Sequence, residues 1–147
     1  MTTSLRPFTL GLLGPDRILG DQHLRLEARV RRDARHVEKP WGHELIWAET
    51  DGYVGKVLHI EEGEALSLQY HREKDETIHV LKGRLRLVVG PSQRELVEVV
   101  LETGQGYHIR PGTVHRMEAL VECDVLEAST PHLDDLVRLE DLYGRVG

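Results

Sequence analysis

At 147 residues with a net charge of −6, the chain has the length of one domain and lacks the dense positive face that a nucleic-acid partner needs. Apolar residues make up 39% and charged residues 30%, which excludes disordered, collagen-like and membrane compositions. Cys123 is the only cysteine, so an intramolecular disulfide and a CxxC metal site are both excluded, and the thiol reads as a buried free one.

Residues 1–36 differ in character from the rest of the chain. A Gly14-Pro15 break and a mixed basic stretch from Arg25 to Arg35 mark them as an N-terminal extension. The short apolar run near Met1 is too weak for a signal peptide and too short to span a bilayer, so cytoplasm is the expected compartment and no membrane association is expected. Residues 37–147 read as the second unit, a barrel domain with a tail. Short β-rich runs are predicted at Glu44 to Ala48, Tyr53 to Ile60, Ala65 to His71, Thr77 to Leu81, Arg84 to Val89, Leu96 to Leu101, Gly106 to Ile109, Val114 to Glu118 and Asp124 to Glu127. Between them fall turn signals such as Asp51-Gly52, Glu62-Gly63, Lys82-Gly83 and Pro111-Gly112. Strands at this spacing with no helical pattern between them predict an all-β sandwich or barrel and exclude a doubly wound fold. After Pro131, the spacing of Leu133, Leu136, Val137 and Leu139, with Asp134 and Asp135 in the first turn, predicts a short C-terminal helix ending near Gly144.

The candidate chemistry lies between Ala65 and His115. Strand alternation puts Ser67, Gln69 and His71 on one face and Leu66, Leu68 and Tyr70 on the other. Glu76 opens the next strand, and His115 follows the Pro111-Gly112 turn. A single His or Gln on a strand is ordinarily a satisfied polar group. Four such residues at this spacing, offering one amide oxygen, two imidazoles and one carboxylate, form a metal-ligand set: a divalent ion, Zn first, with Mn, Fe, Ni or Co also suited.

The spacing Gly63-x5-Gln69-x-His71-x4-Glu76-x6-Gly83 resembles the first motif of the cupins, with Gln in place of the usual first His. Gly104-x5-Arg110-Pro111-Gly112-x2-His115 resembles the second, with the Pro displaced by one and Ala119 in place of the final Asn. The implied fold is a cupin, a double-stranded β-helix or jelly-roll barrel. Lys39-Pro40-Trp41-Gly42, Lys56, Leu66 to His71, Pro111 to Arg116 and Leu133 to Arg145 look more narrowly like the isomerase domain of type II phosphomannose isomerases, over about Glu38 to Arg145. In that family the domain usually follows a mannose-1-phosphate guanylyltransferase. Nothing here resembles the Gly-rich nucleotide loop of that enzyme, so guanylyl transfer is not expected. The resemblance implies Gln69, His71, Glu76 and His115 as metal ligands, Lys56 and Arg138 as groups that hold a phosphate or sugar hydroxyls, and a homodimer. The segment Arg72 to Asp75 and the pair Thr77-Ile78 depart from the family's His-rich pattern.

Three functions fit this reading. A metal-dependent aldose-ketose isomerase would act on a sugar or sugar phosphate through an enediol, with Glu44, Lys56 or His79 as candidate proton-transfer groups. Glu44 and Lys56 are carried forward as the catalytic pair, because strand alternation turns His79 away from the Glu76 face. The alternatives are a metal-dependent sugar-binding cupin without turnover and a non-haem iron dioxygenase.

Overall fold

The computed structural model describes residues 33–145, all of them strand, turn or loop. The expectation of a separate extension over residues 1–36 falls almost wholly outside the described part. Among the described residues, no helix is long and apolar enough to cross a membrane.

Among the described residues, nine strands form the sheet: β1 (Arg35–Lys39), β2 (Gly42–Glu49), β3 (Val54–Ile60), β4 (Leu68–Tyr70), β5 (Glu76–Ser92), β6 (Glu95–Glu102), β7 (Gly106–Ile109), β8 (Val114–Ser129) and β9 (Val137–Glu140). All pairings are antiparallel, and β8 is the hub, pairing with β3, β4 and β5. The β1-β2-β3 meander continues onto the second half of β8, while β4 and then β9 lie beside its first half.

The predicted strands are present, but two pairs of them are fused. Thr77 to Leu81 and Arg84 to Val89 are one 17-residue strand, β5, and Val114 to Glu118 and Asp124 to Glu127 are one 16-residue strand, β8. Lys82-Gly83 is therefore no hairpin. It is a bulge where the β5–β8 register shifts three times, between Val80, Lys82, Arg84 and Leu85. Gly83 takes φ 93°, and a side chain there would meet the Glu122 carbonyl oxygen at 2.1 Å.

The C-terminal helix is not formed. Val137–Glu140 is strand β9, with Leu68 facing Glu140, Gln69 facing Arg138 and Tyr70 facing Val137. Leu136 and Arg138, two residues apart, both line the cavity, as alternation along a strand requires, although the apolar residues themselves follow the helical rhythm. The open edge of β4 decides the outcome, because its buried backbone groups need partners that a helix, bonded to itself, does not supply. Leu142, which the helix reading left unassigned, is 65% exposed.

Alternation along β3, β5 and β8 turns Leu58, Ile60, Ile78, Val80, Leu85, Leu87, Met117 and Val125 into the core, joined by Trp41 and Ile109. Burying each such side chain contributes roughly 1.5–3 kcal/mol. Cys123 is free and buried, as its type suggests, and burial pushes its thiol up. One end of the interior is left open and polar, and the site lies there. Gly83→Ala is expected to destabilise the fold by roughly 2 kcal/mol or more, through backbone strain and collision with Glu122, measured as a lowered urea midpoint with unchanged slope.

Candidate metal centre

Three elements converge on one buried point. Gln69 lies in β4, directly opposite His115 of β8, and His71 follows one residue beyond the strand. The Gly112 N–H donates to the His71 carbonyl at 2.7 Å, tying the Pro111-Gly112 turn to the segment that carries the ligands. Glu76 begins β5. His115 Nε2 is 3.1 Å and His71 Nε2 3.6 Å from Glu76 Oε1, and the three side chains are all but inaccessible.

The hydrogen bonds behind these rings define what they offer. His71 Nδ1 donates to the Asp135 carbonyl, and His115 Nδ1 donates to the Thr113 carbonyl at 2.9 Å. A carbonyl only accepts, so each ring commits its Nδ1 proton outward and turns Nε2 toward the carboxylate. His71 Nε2, His115 Nε2 and Glu76 Oε1 are all buried without a hydrogen-bond partner. Three acceptor atoms this close repel one another unless a proton or a cation sits among them. His71, Glu76 and His115 form a group that could hold a metal ion, their ligand atoms lying within 4.8 Å of one another. Two imidazoles and a carboxylate are the donor set such an ion takes.

Gln69 is at the wall of this centre, its Oε1 accepting from Ser67 Oγ at 2.7 Å. One lone pair of that oxygen remains for another contact.

Two features were not apparent in the sequence. Lys74 is buried, with Nζ 2.5 Å from Glu76 Oε2 and 2.6 Å from Glu127 Oε1. Burial alone would lower the Lys74 ammonium, but Glu127 and Glu76 outweigh it and raise the group. For Glu76, burial pushes upward, and its charged surroundings, the Lys74 ammonium at Oε2 included, outweigh that and hold the carboxyl well below its ordinary value. The second feature is Asp135. Its carboxylate accepts from the backbone N–H groups of Arg72 at 3.0 Å, Glu73 at 2.6 Å and Lys74 at 2.9 Å, while its carbonyl orients His71. A single Asp after a Pro reads as a helix-start signal. What it binds is about 60 residues earlier in the chain, where no local pattern points.

A cavity of about 470 Å³ opens from this centre. Glu44, Lys56 and Arg138 line it, as do Lys39, Glu127 and Leu136. Lys56 is not the exposed strand lysine that its position also allowed: it is buried, with Nζ 3.5 Å from Glu44 Oε2. Arg138 faces Gln69 across the β4–β9 pair, and its Nε is buried without a partner. The sequence also allowed Arg138 an ion pair with Asp134 or Asp135 on a tail helix; that helix is not formed, and the Asp135 carboxylate accepts from the backbone of 72–74. His79 does not line the cavity.

Residues 56–127 match the family model described as "Cupin domain". The chain is 28% identical over 146 residues to "Mannose-1-phosphate guanylyltransferase ManC" of Salmonella typhimurium, covering 88% of this chain and 29% of that protein. With the mannose-1-phosphate guanylyltransferase of Escherichia coli it shares 32% over 127 residues, 83% of this chain and 25% of the relative. It thus spans less than a third of the length of either relative. Oxalate decarboxylase from Bacillus subtilis superposes with a TM-score of 0.65 at 13% identity, over 73% of this chain and 30% of that one, and shows the fold alone.

The three N–H contacts, that from Glu73 foremost, hold the Asp135 carboxyl at about 2 against an ordinary 3.8. A depressed carboxylate stabilises the fold fully above the unfolded value and loses that contribution as pH falls through the folded one. Wild type should therefore exceed Asp135→Ala in stability at neutral pH, with the gap narrowing from about pH 4 toward pH 2; urea melts across that range check it, and a gap independent of pH would contradict the assignment.

Proposed function

Because the chain carries a cupin domain, we propose that its cavity binds a divalent metal ion and a sugar phosphate, and interconverts the aldose and ketose forms of that sugar. The observation that carries this reading is the meeting of three buried, unpartnered acceptor atoms from His71, Glu76 and His115 at the floor of a polar cavity. Gln69, opposite His115 in the sheet and with a lone pair to spare, is the proposed fourth ligand. An ion held there, Zn before Mn, Fe, Ni or Co, would supply Lewis acidity toward two neighbouring substrate oxygens.

The protein's own groups fill the other roles. Arg138 brings a guanidinium without a hydrogen-bond partner at Nε to the cavity wall, suited to the phosphate. Glu44 is the proposed base: its carboxylate takes the proton from the carbon beside the carbonyl and returns it to the former carbonyl carbon, by way of an enediol. The hydroxyl proton passes between the two oxygens, so nothing is oxidised or reduced overall. Lys56, 3.5 Å from Glu44, orients that carboxylate and offers a hydrogen bond to the substrate oxygens. Relatives named for a transferase acting on mannose 1-phosphate agree with a sugar-phosphate ligand, and the chain covers less than a third of them.

A binding module without turnover is the second reading. In the segment from Arg72 to Lys74, where the sequence departs from the isomerase pattern, Asp135 fixes the backbone, and Lys74 brings an ammonium to the cavity. The assay separates the two. Metal-depleted protein, given back Zn2+ or Mn2+, is expected to convert mannose 6-phosphate to fructose 6-phosphate, with Glu44→Gln lowering kcat by about 100-fold or more and leaving metal content unchanged. Thermal stabilisation by mannose 6-phosphate with no conversion under any metal would leave the binder. His71→Ala with His115→Ala should abolish metal uptake in elemental analysis; equal metal content in that variant and wild type would refute the ligand set.

A further inference from the structure

Lys74 stands beside the proposed ligands, and the isomerase reading assigns it no part in holding substrate or moving its proton. It is 6% exposed, and its Nζ bridges Glu76 Oε2 at 2.5 Å and Glu127 Oε1 at 2.6 Å. The Glu76 carboxylate is thereby divided. Its Oε1 faces the two imidazole Nε2 atoms, and its Oε2 is engaged by the ammonium. A carboxylate held in this way offers a cation one oxygen, whereas a free one can offer both. Glu127 sets the charge balance, because with it the buried cluster holds two carboxylates against one ammonium. A divalent ion would then meet a net −1, where Lys74 and Glu76 alone would cancel.

We propose that Lys74, itself held by Glu127, is a positioning residue that limits Glu76 to single-oxygen ligation and tunes the charge presented to the metal. The role depends on a metal ion being bound at His71, Glu76 and His115. It differs from a merely structural role, in which the buried ion pairs serve only the stability of the fold. The difference shows in sign: removing the ammonium should strengthen metal binding, and removing the Glu127 charge should weaken it.

The test uses the whole chain as wild type, Lys74→Met, Lys74→Arg and Glu127→Gln, each stripped of metal and titrated with Zn2+ against a competing chelator. Lys74→Met is expected to bind Zn2+ about tenfold more tightly and Glu127→Gln about tenfold more weakly, with Lys74→Arg near wild type. Co2+ in place of Zn2+ reads the coordination through its visible absorption. The Lys74→Met spectrum should weaken toward that of a higher coordination number, while Glu127→Gln, its Glu76 still clamped, should keep the wild-type shape. Should Lys74→Met fail to fold, Glu127→Gln decides alone, since a purely structural pair predicts a lower melting temperature with unchanged Zn2+ affinity. Shifts of both variants in the same direction, or a Co2+ spectrum unaltered by Lys74→Met, would overturn the clamp and leave the metal site standing. A wild type that takes up neither ion would remove both.

Discussion

Everything in the site depends on the curl of one two-stranded ladder. In the β5–β8 pairing Glu76 sits opposite Ser129 at one end, and His115 sits opposite Val89 toward the other. A flat ladder would separate Glu76 from His115 by about 40 Å. They are 3.1 Å apart. Only a ladder that rolls through most of a turn achieves this, and the register shifts around Lys82, Gly83 and Arg84 mark where it does so. Glycine at 83 is thus a requirement of the site, although it lies far from it along the strand. It lets the backbone approach Glu122 closely at the bend.

With the ladder rolled, the remaining ligands need only short, local devices. The brief strand β4 is held between β8 and β9, which fixes Gln69 against His115 on one side and Arg138 on the other. His71, just beyond the strand, would be free to turn. Its ring is oriented by the Asp135 carbonyl and its backbone by Gly112. The low-dielectric interior then magnifies each charge beside the centre, those of Lys74 and Glu127 included.

Much of this was legible in the sequence, for identifiable reasons. Alternation located the strands and their faces, and the paired glycines and prolines located the turns, because both signals are local. The triad of His71, Glu76 and His115 was legible because its spacing is tied to the two halves of a repeating barrel geometry. Two kinds of feature were hidden. The first is the competition for backbone hydrogen bonds: Leu133, Leu136, Val137 and Leu139 follow a helical rhythm, and the edge of β4, nearly 70 residues away, overrides that local signal and takes Val137–Glu140 as a strand. Lys82-Gly83, a turn signal by composition, is a bulge within one long strand. The second is the environment of individual charges. Lys74 in the run Arg72-Glu73-Lys74-Asp75 reads as a solvated loop lysine, and only the fold brings Glu76 and Glu127 to either side of it. Lys56 was undecided for the same reason and is buried.

The tail that became β9 has an implication for how the molecule matures. His71 receives its orienting carbonyl, and the three N–H groups of the loop after it their acceptor carboxylate, from Asp135 alone. Both arrive only when a segment from the far end of the barrel has docked. A nascent chain that already contains every one of the four candidate ligands would still present an unaligned ring and a loose loop. Alignment of the ring is therefore coupled to docking of the tail, and the candidate ligand set is complete only in the closed barrel.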